Sequence, residues 1–327
     1  MEEKIKVYIP NSIYSVLEKD AELFEFYKND GSINLNSFFN KLIINYFYSY
    51  QSETKSLNKK IKAIIENEID ANDNTINYLS DIIVDEFNKR DISFDGKKTE
   101  NTISIKPTKD SSDIINYIQT NLIANNTLSN YFRAMFSSYA LLSRDKREKI
   151  IFSDIFESLN NAIINKKEIY ITNIKGNSFT LKPYNIINSK DEYFNYLVGV
   201  IDKDIVSFRV SRIKKVIETN KDFIVKDSYY KTIDKMKKYG PQYIFKNDEN
   251  ELIKIKFTND GIIKYEKMYL YRPSYIKKTN NIYYFDCSYE QIRQYLLRFG
   301  NEAEIISPKI LRDEFKKYIS DLNKLYK

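Results

Sequence analysis

Histidine and tryptophan are absent from this sequence of 327 residues, and cysteine occurs only once. Without histidine the chain lacks the commonest general base and the usual zinc ligand. A single cysteine excludes an internal disulfide and a metal-binding thiolate cluster. The 7 glycines form no GxGxxG or Walker A phosphate loop. We therefore expect no cofactor, no metal site and no enzymatic activity, and only a hydrolase built on Asp and Glu stays open.

The one cysteine, Cys287, has the same parity along the chain as Tyr283 and Phe285. A strand would place all three side chains on one face. We therefore predict that Cys287 packs in a core and does not act as a nucleophile.

Long apolar runs are also absent, so no segment has the length needed to span a membrane. The start, Met1-Glu2-Glu3, is unlike that of a signal peptide. These features predict a cytoplasmic protein without membrane contact. Apolar residues make up 42% of the chain, which is enough to form hydrophobic cores. The length predicts two or three domains.

The net charge of +7 is unevenly distributed. Residues 1–50 carry 5 basic and 7 acidic side chains, whereas residues 226–327 carry 21 basic and 14 acidic ones. The positive excess in the C-terminal third indicates an anionic partner there. The alternative is an ordinary solvated surface rich in lysine.

A strand-helix-helix pattern occurs twice in the first half. Residues 4–10 alternate between apolar and polar before two helical patterns, and the same order returns at 102–142. The second helix of each copy superposes at an offset of 93 residues, so that Leu35 corresponds to Leu128. A lone strand with two helices leaves its edge unpaired, so each copy needs another.

This order resembles the ribbon-helix-helix fold, in which two strands pair antiparallel and their outward side chains enter the DNA major groove. The N-terminus of the second helix, residues 34–37, would hold a phosphate. Two copies in one chain permit an intramolecular pseudo-dimer, with 51–98 as a helical connector. The acidic balance of 1–50 leaves open a module that only dimerises. By the resemblance, the base-reading residues are Lys4, Lys6, Tyr8, Thr102, Ser104 and Lys106.

From residue 151 the pattern changes to short strands and tight turns, which is typical of a small barrel. Residues 179–213 resemble the WYL domain of bacterial regulators. Asn195-Tyr196-Leu197 stands where that family has Trp-Tyr-Leu, and residues 208–213 resemble its Phe-Arg-x-x-Arg-Ile run. We predict strands at 168–174, 178–183, 193–201, 205–210 and 213–217.

The family's barrel is Sm/SH3-like, and its Tyr and Arg positions form a site for nucleic acid or a nucleotide-like ligand. Both arginines of this chain can face one site only if the strand ends or bulges near residue 211. Alternatively, one arginine pairs internally with Asp202 or Asp204. The resemblance implicates Tyr196, Arg209 and Arg212, with Tyr184 and Ser207 as weaker neighbours.

Residues 252–306 predict a strand-helix-strand-strand-helix-strand order, which is the ferredoxin-like arrangement. They also resemble the extension that follows WYL domains, and a last helix opens at Ser307-Pro308. The sequence thus predicts an α+β protein. Its modules are a ribbon-helix-helix-like module (1–50), a helical connector (51–98), a second strand-helix-helix module (99–150), a WYL-like β-barrel (151–225) and a ferredoxin-like extension (226–327).

Two functions follow from these resemblances. The first is a WYL-domain transcriptional regulator that binds duplex DNA and senses a nucleic-acid or nucleotide ligand in its barrel. The alternative is a single-stranded-RNA-binding accessory protein that modulates an RNA-targeting CRISPR effector nuclease. The charge distribution favours the second, whereas the alternating Lys-x-Lys-x-Tyr strand favours the first. The expected partners are duplex DNA or single-stranded RNA or DNA, a nucleotide ligand, a CRISPR effector and a second copy of the chain.

Overall fold

The computed structural model describes residues 4–89, 100–123, 127–224, 226–245 and 251–326. The chain divides into two compact units, unit 1 (Met1–Asp154) and unit 2 (Ile155–Lys327). Both combine helices with antiparallel sheets, as the sequence predicts. No helix of the described ranges is long and apolar enough to cross a membrane.

Unit 1 places helices around a two-stranded antiparallel ribbon. The second helix runs far beyond the predicted apolar pattern and enters the segment expected to be a connector, of which residues 90–98 lie outside the described ranges. In chain order the elements are β1 (Ile5–Pro10), α1 (Asn11–Leu23), α2 (Leu35–Glu68), α3 (Asp73–Lys89), β2 (Glu100–Ile105), α4 (Lys109–Asn121), α5 (Leu128–Leu141) and α6 (Arg144–Ile151).

The ribbon forms within one chain, because β1 pairs with β2. The register places Val7 opposite Ile103, and both side chains are buried. Ile9 and Ile105 share that buried face. Since side chains alternate along a strand, the polar residues between them are left on the outer face.

The second helix of each half binds the strand of the other half. Asn36 on α2 donates to the Lys106 carbonyl at 3.2 Å and accepts from its N–H at 2.8 Å. At the equivalent positions on α5, Ser129 accepts from the Tyr8 N–H at 3.3 Å, and Arg133 donates to the Tyr8 carbonyl at 2.5 Å. Each half therefore satisfies backbone groups of the other half, at Tyr8 and at Lys106.

Asp20 is a buried carboxylate in unit 1 with two side-chain donors. Arg147 Nε lies 2.6 Å from Asp20 Oδ2, and the Tyr139 hydroxyl donates to the same oxygen at 2.9 Å. Burial and the nearby carboxylate raise the pKa of Tyr139 well above its ordinary value. Tyr139 therefore remains a hydrogen-bond donor, and the cluster joins α1, α5 and α6.

Unit 2 contains a five-stranded and a four-stranded sheet. The boundary between the two units lies in α7 (Ser153–Ile164), which is the first helix of unit 2. The remaining elements are β3 (Lys167–Asn173), β4 (Ser178–Asn188), β5 (Asn195–Ile201), β6 (Asp204–Arg209), β7 (Ile213–Asp222), α8 (Asp227–Tyr239), β8 (Ile253–Phe257), α9 (Asn259–Lys267), β9 (Tyr275–Thr279), β10 (Ile282–Phe285), α10 (Tyr289–Leu296), β11 (Ala303–Ser307) and α11 (Lys309–Leu325).

The five-stranded sheet has the order β6-β5-β4-β3-β7. Its two edge strands, β6 and β7, are separated only by the 3-10 turn Val210–Arg212. Three residues span at most about 10 Å, so the sheet must curl until its edges approach each other. A register shift between Pro183 and Asn185 bends β4 in the middle and helps this curvature.

Gly199 lies opposite Pro183, where β5 has no room for a side chain. A Cβ there would overlap Leu181 Cδ1 and would lie 2.6 Å from the Lys182 carbonyl oxygen. Because that oxygen belongs to the backbone, it can move only with its strand. We expect Gly199→Ala to lower the free energy of unfolding by about 1–3 kcal/mol, as measured by urea denaturation.

The control for Gly199→Ala is Thr180→Ala, an exposed position on the neighbouring strand β4. We expect this control to change stability by less than about 0.5 kcal/mol. An unchanged urea midpoint for Gly199→Ala would contradict the close approach of the two strands.

The four-stranded sheet has the order β11-β8-β10-β9 and shares a hydrophobic core with the five-stranded sheet. Val198 and Val200 of β5 belong to the same buried cluster as Ile255 of β8. The two modules predicted at 151–225 and 226–327 therefore pack as one unit. Cys287 lies buried in this cluster, as predicted.

Candidate nucleic-acid interface

The ribbon residues predicted from the sequence lie together on the outer face of β1 and β2. The register places Lys6 opposite Ser104 and Tyr8 opposite Thr102. Lys4 precedes β1 and Lys106 follows β2, so three lysines lie at the same end of the ribbon. All six residues are exposed: Lys4, Lys6, Tyr8, Thr102, Ser104 and Lys106.

The predicted phosphate site at the N-terminus of α2 is partly used by the protein itself. The side chain of Asn34 caps the helix and accepts from the Ser37 N–H at 3.1 Å. Asn36 is bonded to the backbone of Lys106. A phosphate at residues 34–37 would therefore compete with the Asn34 cap.

Tyr196 and Arg209 are brought together as direct partners across β5 and β6. The guanidinium carbon of Arg209 lies 3.4 Å from the centre of the Phe194 ring, and Nε donates to Ser211 Oγ at 2.7 Å. Stacking on a ring and a fixed hydrogen bond orient the planar guanidinium. Because the Tyr196 hydroxyl donates to Glu192, the tyrosine is held as well.

Arg212 lies at the end of the 3-10 turn that follows β6. The strand therefore ends at Arg209, which is the condition under which both arginines can face one site. Arg212 is exposed, whereas Arg209 is half-buried against Phe194. The two arginines thus differ in burial, and the Arg209 guanidinium is oriented by Phe194 and Ser211.

The two weaker candidates lie in different surroundings. Ser207 precedes Arg209 by two residues on the same face of β6, and its Oγ is buried without a hydrogen-bond partner among the described residues. Tyr184 is buried in the core of unit 2, where its ring packs 5.5 Å from that of Phe223. Its hydroxyl accepts from the Lys226 N–H at 3.4 Å. This position of Tyr184 favours packing over ligand contact.

A further basic surface lies on the four-stranded sheet and was not identified from the sequence. Tyr284 of β10 lies opposite Lys254 of β8 and Lys277 of β9. The two lysine Nζ atoms are 5.8 and 5.6 Å from the centre of the Tyr284 ring. Together with the exposed Lys256, these residues form what we call the outer sheet face. The alternation of 252–257 was visible in the sequence, but the pairing across three strands was not.

Residues 154–218 match the family model of the WYL domain. This segment is a WYL domain. It extends from α7 into β7 and contains Tyr196, Arg209 and Arg212. The basic outer sheet face lies beyond it in the chain.

The solved structures that match the chain include two that differ in their similarity to it. One is described as the crystal structure of a CRISPR Cas-related protein; it is 21% identical, with a TM-score of 0.68 over 100% of this chain and 94% of that chain. This similarity extends over the whole chain and concerns the fold alone. The other is proteasome accessory factor B/C of Arthrobacter aurescens, 11% identical, with a TM-score of 0.25 over 67% and 36% of the two chains. No curated protein matches the sequence.

Proposed function

We propose that this protein binds single-stranded RNA through unit 2 and serves as an accessory protein that modulates an RNA-targeting CRISPR effector nuclease. The observation that carries this proposal is the outer sheet face, where exposed lysines surround Tyr284. We infer a binding role without catalysis.

The outer sheet face offers the two interactions that single strands need. A tyrosine ring can stack on a base for about 1–3 kcal/mol, and lysines can follow the phosphate backbone. We propose that β8 to β11 form a ferredoxin-like domain, in which Tyr284 and Lys254 lie on neighbouring strands. Four-stranded sheets that expose aromatic side chains bind RNA in this way. The net positive charge of residues 226–327 supports the same partner.

Within the WYL domain, we propose that the Sm/SH3-like barrel continues the RNA path at Arg209. An oriented guanidinium can make two parallel hydrogen bonds to a phosphate, which is bidentate binding. Tyr196 lies beside Arg209 on the neighbouring strand. Ser207 and Arg212 would be further contacts on the same segment. The CRISPR role is supported by the similarity of the whole chain to a CRISPR Cas-related protein.

We expect Lys254→Ala/Lys277→Ala/Tyr284→Ala to weaken single-stranded RNA binding about tenfold or more, because stacking and two phosphate contacts are lost. Fluorescence anisotropy at several salt concentrations measures this. The slope of log K against log salt should fall in magnitude by about 1.4, since each contact with a single strand contributes about 0.7.

The matched control is the ribbon variant Lys4→Ala/Lys6→Ala/Lys106→Ala, which removes three exposed lysines from unit 1. It should leave RNA binding unchanged. If the outer sheet variant binds RNA as tightly as the wild type, the proposal that this face contacts RNA is wrong.

The second candidate is a transcriptional regulator that reads duplex DNA. It is favoured by the six polar ribbon residues on one exposed face, and it would make β1–α1–α2 and β2–α4–α5 a ribbon-helix-helix module. A ligand in the WYL domain would then have to favour one arrangement of that module. Duplex DNA binding that the ribbon variant abolishes, without RNA binding, would support this candidate.

We also propose that the protein is a homodimer. Leu311 of α11 is buried, but the apolar residues that follow on the same face are exposed, among them Tyr318, Leu322 and Leu325. An exposed apolar row of this kind is typical of a surface that another molecule covers.

A further inference from the structure

A pocket of about 330 Å³ lies in unit 2 next to the WYL domain residue Glu192. Its size is at the lower end of the range of small-molecule sites, about 300–1,000 Å³. Glu192 also accepts the hydrogen bond of the Tyr196 hydroxyl, so the pocket adjoins the Tyr196–Arg209 pair. The lining also includes Gln291 of α10.

Gln291 is the feature that suggests a ligand. It is only 3% exposed, and its Oε1 is buried without a hydrogen-bond partner in the described part of the chain. The sequence Ser288-Tyr-Glu-Gln291 is a capping-box pattern, in which the glutamine side chain would bind back to the N-cap N–H. Ser288 Oγ accepts from the Gln291 N–H at 3.2 Å, so the first half of the box is present.

The second half of the box is missing in α10, although α4 shows that this chain can complete one. There, the side chains of Thr108 and Ser111 make both reciprocal bonds. A buried polar atom without a partner is unfavourable. Gln291 Oε1 makes no such bond among the described residues, and the side chain lines the pocket.

The rest of the lining accepts hydrogen bonds and offers a flat surface. Gln242 Oε1 is also buried without a partner among the described residues, while its Nε2 lies 3.5 Å from Asp191 Oδ2. The Glu192 carboxylate can only accept when ionised. Two further lining residues are in contact, since the guanidinium carbon of Arg298 lies 5.8 Å from the Tyr271 ring centre. Such a ring and guanidinium can stack on a planar ligand.

We propose that this pocket binds a nucleobase that carries an exocyclic amino group, with the amino group donating to Gln291 and the ring lying against Tyr271. Adenine, cytosine and guanine carry such a group, whereas uracil places a carbonyl oxygen there. The inference rests on the proposed RNA binding, and the base can belong to a free nucleotide or to a strand that passes the Tyr196–Arg209 pair.

Isothermal titration calorimetry with AMP and UMP tests the pocket in the full-length chain, and oligoadenylate and oligouridylate test a strand. We expect AMP to bind about ten times more tightly than UMP, or oligoadenylate to bind about ten times more tightly than oligouridylate. Gln291→Met keeps the length of the side chain but removes its polar end, so it should abolish the preference. Loss of one good hydrogen-bond partner accounts for a change of about tenfold.

Thermal unfolding of Gln291→Met separates binding from a structural role. The variant should be as stable as the wild type or more stable, because a buried unpaired group is removed. The exposed control Thr180→Ala should keep the full preference for adenine. If neither AMP nor oligoadenylate shows a preference that depends on Gln291, the pocket proposal is overturned.

These outcomes are distinct from failure of the proposed function. RNA that binds wild type and Gln291→Met equally, without preference for adenine, overturns the pocket and leaves RNA binding in place. AMP binding that depends on Gln291, in a protein that binds no RNA strand, supports the pocket and overturns the RNA function.

Discussion

Replacing Asp20 with alanine is expected to lower the free energy of unfolding by about 3–5 kcal/mol, because it leaves a buried charge unpaired. Arg147 would keep its guanidinium in a site where its side chain is only 11% exposed. Asp20 also accepts from Arg147 Nη2 at 3.0 Å, so two charge-assisted bonds are lost together with the Tyr139 bond. Arg147 further donates to the carbonyl of Leu142, which follows α5, so the loss extends beyond α1.

Urea denaturation followed by circular dichroism measures this effect. The matched control is Glu22→Ala, which breaks the exposed pair between Lys19 and Glu22 on the same helix at 3.0 Å. Exposed pairs contribute about 0–1 kcal/mol, so the control should be almost neutral.

A second variant separates the charge effect from general loss of packing. Asp20→Leu/Arg147→Met replaces the buried pair with apolar side chains, which is often neutral or stabilising. We expect it to recover most of the stability that Asp20→Ala loses. A loss for Asp20→Ala no larger than that for Glu22→Ala would contradict the assignment of Asp20 as a buried ion-pair partner.

The Asp20 cluster shows which parts of the fold sequence patterns predict and which they do not. Apolar spacing predicted the helix that contains Asp20, and the offset of 93 residues predicted equivalent helices in the two halves. The partner of Asp20 is 127 residues away and belongs to α6, a helix that the sequence pattern did not reveal. Ion pairs of this kind depend on tertiary packing, which periodicity does not encode.

The candidate sites also combine features that the sequence predicts with features that it does not predict. Alternation in single strands predicted the outer row of the ribbon, because a strand of period two decides which side chains share a face. For the two arginines it gave only a condition, namely that the strand must end or bulge near residue 211 if both are to face one site. The outer sheet face requires the register of three strands, and the Gln291 pocket requires segments from separate parts of unit 2. Helix α8 was also missed, although Ile233, Met236 and Tyr239 have helical spacing and are buried.

Replacing Arg209 with lysine is expected to weaken single-stranded RNA binding about 10- to 100-fold, although the charge is unchanged. Lysine cannot lie flat on the Phe194 ring at 3.4 Å, and it has no Nε–H to donate to Ser211. The fixed orientation of the cation is therefore lost. We expect Arg209→Lys to bind only slightly better than Arg209→Ala.

The salt dependence of binding distinguishes geometry from charge. Arg209→Lys should keep the wild-type slope of log K against log salt, whereas Arg209→Ala should reduce its magnitude by about 0.7. Arg212→Lys is the matched control, because Arg212 lies three residues further along the chain and is exposed on the 3-10 turn. We expect only a small loss for this control.

Phe194→Leu tests how the cation is held. It leaves Arg209 and its bond to Ser211 in place but removes the ring beneath the guanidinium. If stacking orients Arg209 for a phosphate, this variant should lose part of the affinity without a change in salt slope. Wild-type affinity in Arg209→Lys would mean that charge alone is recognised at this edge. Wild-type affinity in Arg209→Ala would place the RNA on the outer sheet face alone, because that face needs no arginine.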